Sequence, residues 1–144
     1  MALDRQGTGL AVIRICLGVF FLFEGLGKLR WFADTSILSR RFAEWMQSAG
    51  PASHWYLERI AVPWTAYWAR LVPIGELTSG VALLVGLWTP LVAFAAFFMA
   101  LNFHFAAGTL FTFSFLTNGY GLPVLGSTLG LAIGGVRLPW SLRR

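Results

Sequence analysis

The stretch from residue 63 to residue 87, PWTAYWARLVPIGELTSGVALLVGL, is apolar and long enough to cross a bilayer as one helix, yet it carries a carboxylate, Glu76, well inside it. An acid at that depth is costly unless it is paired, protonated or turned toward a polar cavity. The rest of the chain must therefore supply Glu76 with polar surroundings from other helices. Pro73 precedes it by less than a turn and cannot donate to the Ala69 carbonyl, which predicts a kink with a free acceptor near the carboxylate.

Composition agrees with a membrane setting. Hydrophobic residues make up 57% of the 144 positions and charged residues 12%, against roughly 25% charged in soluble domains. The net charge is +5, but the arginines are scattered at helix ends and in one loop. They read as interfacial anchors and topology signals, and nucleic-acid binding is excluded as a function class. The single Cys16 has no partner for a disulfide, a redox pair or an iron–sulfur cluster. The apolar run 9–29 contains Arg14, Glu24 and Lys28 and lacks a small-x-small cleavage site, so it is expected to be a retained helix rather than a removed leader.

Windows of roughly 20 residues place four spans, at 9–29, 64–87, 90–110 and 122–136. Thr89-Pro90 and Leu122-Pro123 carry the first-turn proline of a helix start. Between the first two spans, Ile37, Leu38, Phe42, Trp45, Met46 and Ala49 repeat at helical spacing, with Arg40, Arg41, Glu44, Gln47 and Ser48 elsewhere, and Gly50-Pro51 ends the pattern. The expected fold is all-α: a single-domain integral membrane four-helix bundle with an amphipathic interfacial helix between helices one and two. Trp55, Tyr56, Trp64, Tyr67 and Trp68 read as an aromatic anchoring belt. Four spans put both termini on one face and the 30–63 segment on the other. The arginine count does not separate the faces; we take the termini as cytoplasmic.

The polar residues fall at one depth. Arg14, Glu24 and Lys28 share a sector of about 80° with Gly18, Phe21 and Gly25. Glu24 and Glu76 each lie about 9 Å below the loop-side end of their helix, and His104 arrives at that level on helix three, with Asn102 within a turn of it and Ser127 and Thr128 on helix four. Asn102 and His104 project about 200° apart, so both cannot face one cavity, and one is expected to meet a neighbouring subunit. Gly18, Gly25, Gly27, Gly75, Ser79, Gly80 and Gly86 mark faces for close helix packing. The two histidines, His54 and His104, do not make a metal-ligand set, and no nucleophile constellation or phosphate loop is present.

The order and spacing of R-x3-G-x2-F-x3-G-x2-K-L from Arg14, G-E-L-x2-G-x3-L-x2-G-L-x-T from Gly75, L-N-F-x-F-A-x-G from Leu101 and the segment containing Asn118 resemble the DoxX family of small bacterial and archaeal membrane proteins. The closing Ser141-Leu142-Arg143 has arginine where the family pattern has aspartate. The resemblance implies a plasma-membrane protein associated with redox complexes, quinone reduction and oxidation of sulfur compounds or thiols. On that reading Glu76 and Glu24 exchange protons as catalytic residues, and Lys28, His104, Asn102 and Arg14 bind substrate. No intrinsic cofactor is expected beyond a bound quinone, and the partners are the lipid bilayer and other membrane or redox subunits or further copies of the chain. Two other functions compete: a non-catalytic docking subunit of a larger membrane complex, and a small carrier or permease.

Overall fold

The computed structural model describes residues 5–142. Within them the chain is helical: α1 Arg5–Gly27, α2 Ser36–Ser48, α3 Pro51–Tyr56, α4 Thr65–Val85, α5 Thr89–Ala106, α6 Phe113–Thr117 and α7 Leu122–Gly134. A 3-10 turn, Leu29–Phe32, follows α1, and a π turn, Leu57–Ala61, follows α3. Three helices, α1, α4 and α5, are long and apolar enough to cross a membrane. The fourth expected span is shorter: the 13 residues of α7 rise only about 20 Å. Large apolar side chains stay exposed around these helices, among them Phe23, Leu71, Val81, Leu91, Phe94 and Ile133, an arrangement stable against lipid rather than water.

α1 packs chiefly on α4, and α5 on α7. Glycines set the first pair's spacing. A Cβ built on Gly80 would lie 2.5 Å from the Leu22 nitrogen and 3.0 Å from the Gly18 carbonyl oxygen, and one on Gly25 2.9 Å from the Leu77 nitrogen, so the two backbones touch where only glycine fits. Of the other small residues expected at packing faces, Gly27 has open space around it and Gly75 meets only Met99. Gly86 instead ends α4 in the left-handed conformation, φ 71°.

Two apolar cores result. The first joins Ala11, Leu17 and Phe21 of α1 to Leu83, Ala93, Ala96, Val124 and Leu131. The second, at the end where α1 stops and α4 begins, gathers Trp31, Leu38, Phe42, Leu57, Ala61, Ala69 and Ala106. α2 contributes Leu38 and Phe42, with Ile37, Trp45, Met46 and Ala49 packed around them, while Arg40, Arg41, Glu44, Gln47 and Ser48 stay exposed, the division its sequence pattern predicts.

The helical pattern does not end at Gly50-Pro51. Pro51 occupies the first turn of a new helix, α3, where its missing N–H costs nothing. The expected aromatic belt is divided accordingly. Trp55, Trp64 and Tyr67 are exposed, whereas Tyr56 and Trp68 are half-buried against the second core.

The tail after α7 returns to the last residue of α4 and to the N-terminal half of α1. The Leu142 N–H donates to the Val85 carbonyl at 2.9 Å, and Arg14 Nη2 donates to the Trp140 carbonyl at 2.8 Å. The described C-terminal residues thus lie at the same end of the molecule as the start of α1, opposite the 28–64 segment.

Candidate functional site

At the boundary between the two cores, α1 and α4 bring together three charged side chains. Lys28, one residue beyond α1, extends its Nζ to Glu24 Oε2 at 2.7 Å and Glu76 Oε1 at 2.8 Å, and also reaches the Glu24 carbonyl oxygen at 3.4 Å. One ammonium therefore bridges two carboxylates that the sequence places at one depth. The close glycine crossing makes this possible, because it brings α1 and α4 together one turn or so from the triad. Lys28 also sits 5.8 Å from the ring centroids of both Trp31 and Phe103, within cation–π range. Glu76 is 6% exposed, and its Oε2 has no hydrogen-bond partner.

The triad forms one wall of a cavity of about 410 Å³, within the usual range for small-molecule sites. Phe20 and Phe21 of α1, Arg41 and Trp45 of α2, Met99, Ala100, Phe103 and His104 of α5, and Tyr120 and Val124 complete it, with Thr109 and Asn118 at the loop that joins α5 to α7. The lining mixes aromatic side chains with polar groups from α1, α2, α4, α5 and the segment before α7, the composition of a small-molecule site.

His104 holds this loop in place. Its Nε2 lies 2.8 Å from the Tyr120 carbonyl oxygen, and since a carbonyl only accepts, Nε2 carries a proton and donates it there; Nδ1 lies 3.1 Å from Thr109 Oγ1. Asn118 Oδ1 accepts from the Tyr120 and Gly121 N–H groups at 2.9 and 2.8 Å, which sets the start of α7.

The structure thus gathers four of the six expected site residues, Glu24, Lys28, Glu76 and His104, at one cavity. Asn102 and Arg14 lie elsewhere. Asn102 faces α3: its Oδ1 accepts from the Tyr56 hydroxyl at 2.6 Å, the divergence that its 200° offset from His104 requires. Arg14 is fully buried at the opposite end of the bundle, against Gly86 and the tail. Its Nε and Nη1, and the neighbouring Ser141 Oγ, have no hydrogen-bond partner. Thr128 is also buried, and its hydroxyl bonds back to Val124 and Leu125 of its own helix. Arg41 and Tyr120 were not singled out by sequence. Arg41 reads as the polar face of an amphipathic helix, and its position 5.9 Å from the Trp31 ring depends on how α2 packs against the Leu29–Phe32 turn.

Outside the membrane spans, hydrogen bonds from the Ser36 side chain and backbone N–H hold the Asp34 carboxyl below the usual aspartate range at the start of α2. Among the described residues no group of three His, Cys, Asp or Glu side chains could hold a metal ion.

The sequence model of one protein family, described as DoxX, matches residues 9–109. That range holds all but the first four residues of α1, the whole of α2 to α5 and the charged triad. No curated protein and no solved structure matches the chain.

Proposed function

The chain belongs to the DoxX family, and from that premise we propose that it is a subunit of a membrane redox complex that holds a quinone-type ring in the cavity beside Lys28. The observation that carries this reading is the bridged pair of carboxylates, Glu24 and Glu76, on the wall of an aromatic cavity of about 410 Å³. Reducing a quinone to its dihydroxy form takes two electrons and two protons. Glu24 and Glu76 each take up a proton from the aqueous side and pass it to the ring as it is reduced, returning to carboxylates. The electrons come from a thiol or reduced-sulfur donor, delivered by a partner subunit or by the donor itself, because the chain brings no Cys cluster or bis-His pair of its own.

In the same reading α7 and the 135–142 tail together make a fourth passage, α2 lies in the headgroup layer, and the membrane is a bacterial or archaeal plasma membrane. The test is binding of ubiquinone and menaquinone analogues to purified protein in nanodiscs. No binding by the wild type, or equal binding by Glu76→Gln, removes the proposed site.

A second reading, a non-catalytic docking subunit, draws on one observation: every hydrogen of the Lys28 ammonium already has a protein acceptor, as in a purely structural network. It requires the protein to travel with a larger assembly in mild detergent and to be released by charge reversal at Arg40 and Arg41.

A further inference from the structure

The polar wall of the cavity is asymmetric in its hydrogen bonding. The triad's own donor is used, as are those of His104 and one hydrogen of the Asn118 amide. Lys28 Nζ serves Glu24 Oε2, Glu76 Oε1 and the Glu24 carbonyl, His104 Nε2–H serves the Tyr120 carbonyl, and Asn118 Nδ2 serves Ser114 Oγ at 3.3 Å. The triad's acceptors are not. Glu24 spends Oε2 on Lys28 and lines the cavity with a side chain 32% exposed, while Glu76 Oε2 is buried without a partner. The remaining donors that line the cavity, Arg41 and the Trp45 indole N–H of α2, the Tyr120 hydroxyl and the second Asn118 Nδ2 hydrogen, belong to α2 and to the segment before α7 and not to the triad.

A bare carbonyl entering this cavity meets no free donor at the triad, and it would have to take a hydrogen away from an ion pair. A ring hydroxyl meets carboxylate oxygens with room to accept. We infer that the site recognises its ligand by a hydrogen-bond donor, so that a ring hydroxyl docks on Glu24, with Glu76 behind it, and the dihydroxy form of the ring is bound in preference to the quinone. This rests on the ring-binding reading above and names which form of the ring the site selects. A hydrogen bond from a hydroxyl to a carboxylate is about twice as strong as a neutral one. A preference of about tenfold for the two-electron-reduced form raises the potential of the bound couple by about 30 mV. The bound quinone is then a better electron acceptor than the same molecule in lipid, which favours its reduction in place.

The test is anaerobic binding of three probes to wild-type protein in nanodiscs, with partition into empty nanodiscs subtracted: tetramethyl-benzoquinone, its dihydroxy form, and the dimethyl ether of that form. The inference expects the dihydroxy form to bind about tenfold more tightly than the other two. Glu24→Gln and Glu76→Gln each place an amide donor where the acceptor was, so each narrows or inverts the preference for the dihydroxy form over the quinone. Both variants leave Lys28 one carboxylate, which guards against loss of fold, and the wild-type ratio alone decides if either fails to assemble. Quinone binding by the wild type as tightly as its dihydroxy form overturns the inference while leaving the ring-binding reading intact, and a preference that survives unchanged in both variants overturns the inference as well. Failure of all three rings to bind overturns the inference and that reading together.

Discussion

Lys28, just beyond the end of α1, and Glu76, near the middle of α4, are 48 positions apart in sequence and 2.8 Å apart in a buried contact. The same ammonium holds Glu24 at 2.7 Å. This changes which residue the fold depends on most. From sequence, Glu76 is the residue whose polar surroundings the rest of the chain must supply. In the structure Lys28 keeps Glu24 when Glu76 is neutralised, whereas loss of Lys28 strands two acids.

Lys28→Met should therefore cost about 3–5 kcal/mol, the cost of leaving buried charge uncompensated, and Glu76→Gln about 1–3 kcal/mol. Thermal unfolding in detergent, followed by the fraction that remains monodisperse, reads the order. Glu76→Gln proving the more damaging of the two would contradict the bridging arrangement.

The glycine crossing makes a prediction about shape alone. Gly80→Ala puts a methyl group 2.5 Å from the Leu22 nitrogen, and the backbone shift it forces should cost about 1–3 kcal/mol. Gly126→Ala, in α7 with nothing within 4 Å of the added carbon, should be neutral or stabilising by about 0.5–1 kcal/mol. The same unfolding assay compares them, and equal effects would show that α1 and α4 do not approach this closely.

Tyr56→Phe removes the hydroxyl that donates to Asn102 at 2.6 Å. The loss should be about 0.5–1.5 kcal/mol, localised where α3 meets α5. Hydrogen exchange should rise through residues 51–61 and stay unchanged in the α1–α4 crossing. An unchanged 51–61 segment would mean that the apolar contacts of Leu57 and Ala61 hold it without the hydrogen bond.

Asp34 gives the pH dependence outside the membrane spans. Its folded-state carboxyl is held below the ordinary range by Ser36, so its contribution is present above the unfolded-state value and is lost as pH falls through the folded one. The Ser36 N–H, which donates to Asp34 Oδ1 at 3.0 Å, should therefore exchange faster with acidification after correction for intrinsic rate. Asp34→Asn should abolish that extra dependence, and an identical profile in the variant would remove Asp34 as its source.

Arg14→Leu tests the opposite end of the bundle. It breaks the bond to the Trp140 carbonyl and should make residues 138–142 accessible to limited proteolysis while the charged triad and ring binding persist. Altered ring binding would return Arg14 to the list of site residues, where sequence placed it.

Hydropathy and spacing along the chain determined the long apolar helices, their order, the inward face of α2 and the common level of Glu24, Glu76 and His104. These are one-dimensional properties: a helix converts position into depth and angle at a fixed rate, so sequence alone carries them. It did not determine the shortness of α7, the second helix after Gly50, or the partners of the polar groups. Those depend on which faces meet. Asn102 turns to Tyr56 and His104 to Tyr120 because two positions on one helix point to different neighbours. Lys28 reaches two acids rather than one because Gly18, Gly25 and Gly80 let α1 and α4 touch. The distance between helices is set by the side chains missing from both surfaces at once, and only the tertiary structure brings the two surfaces together.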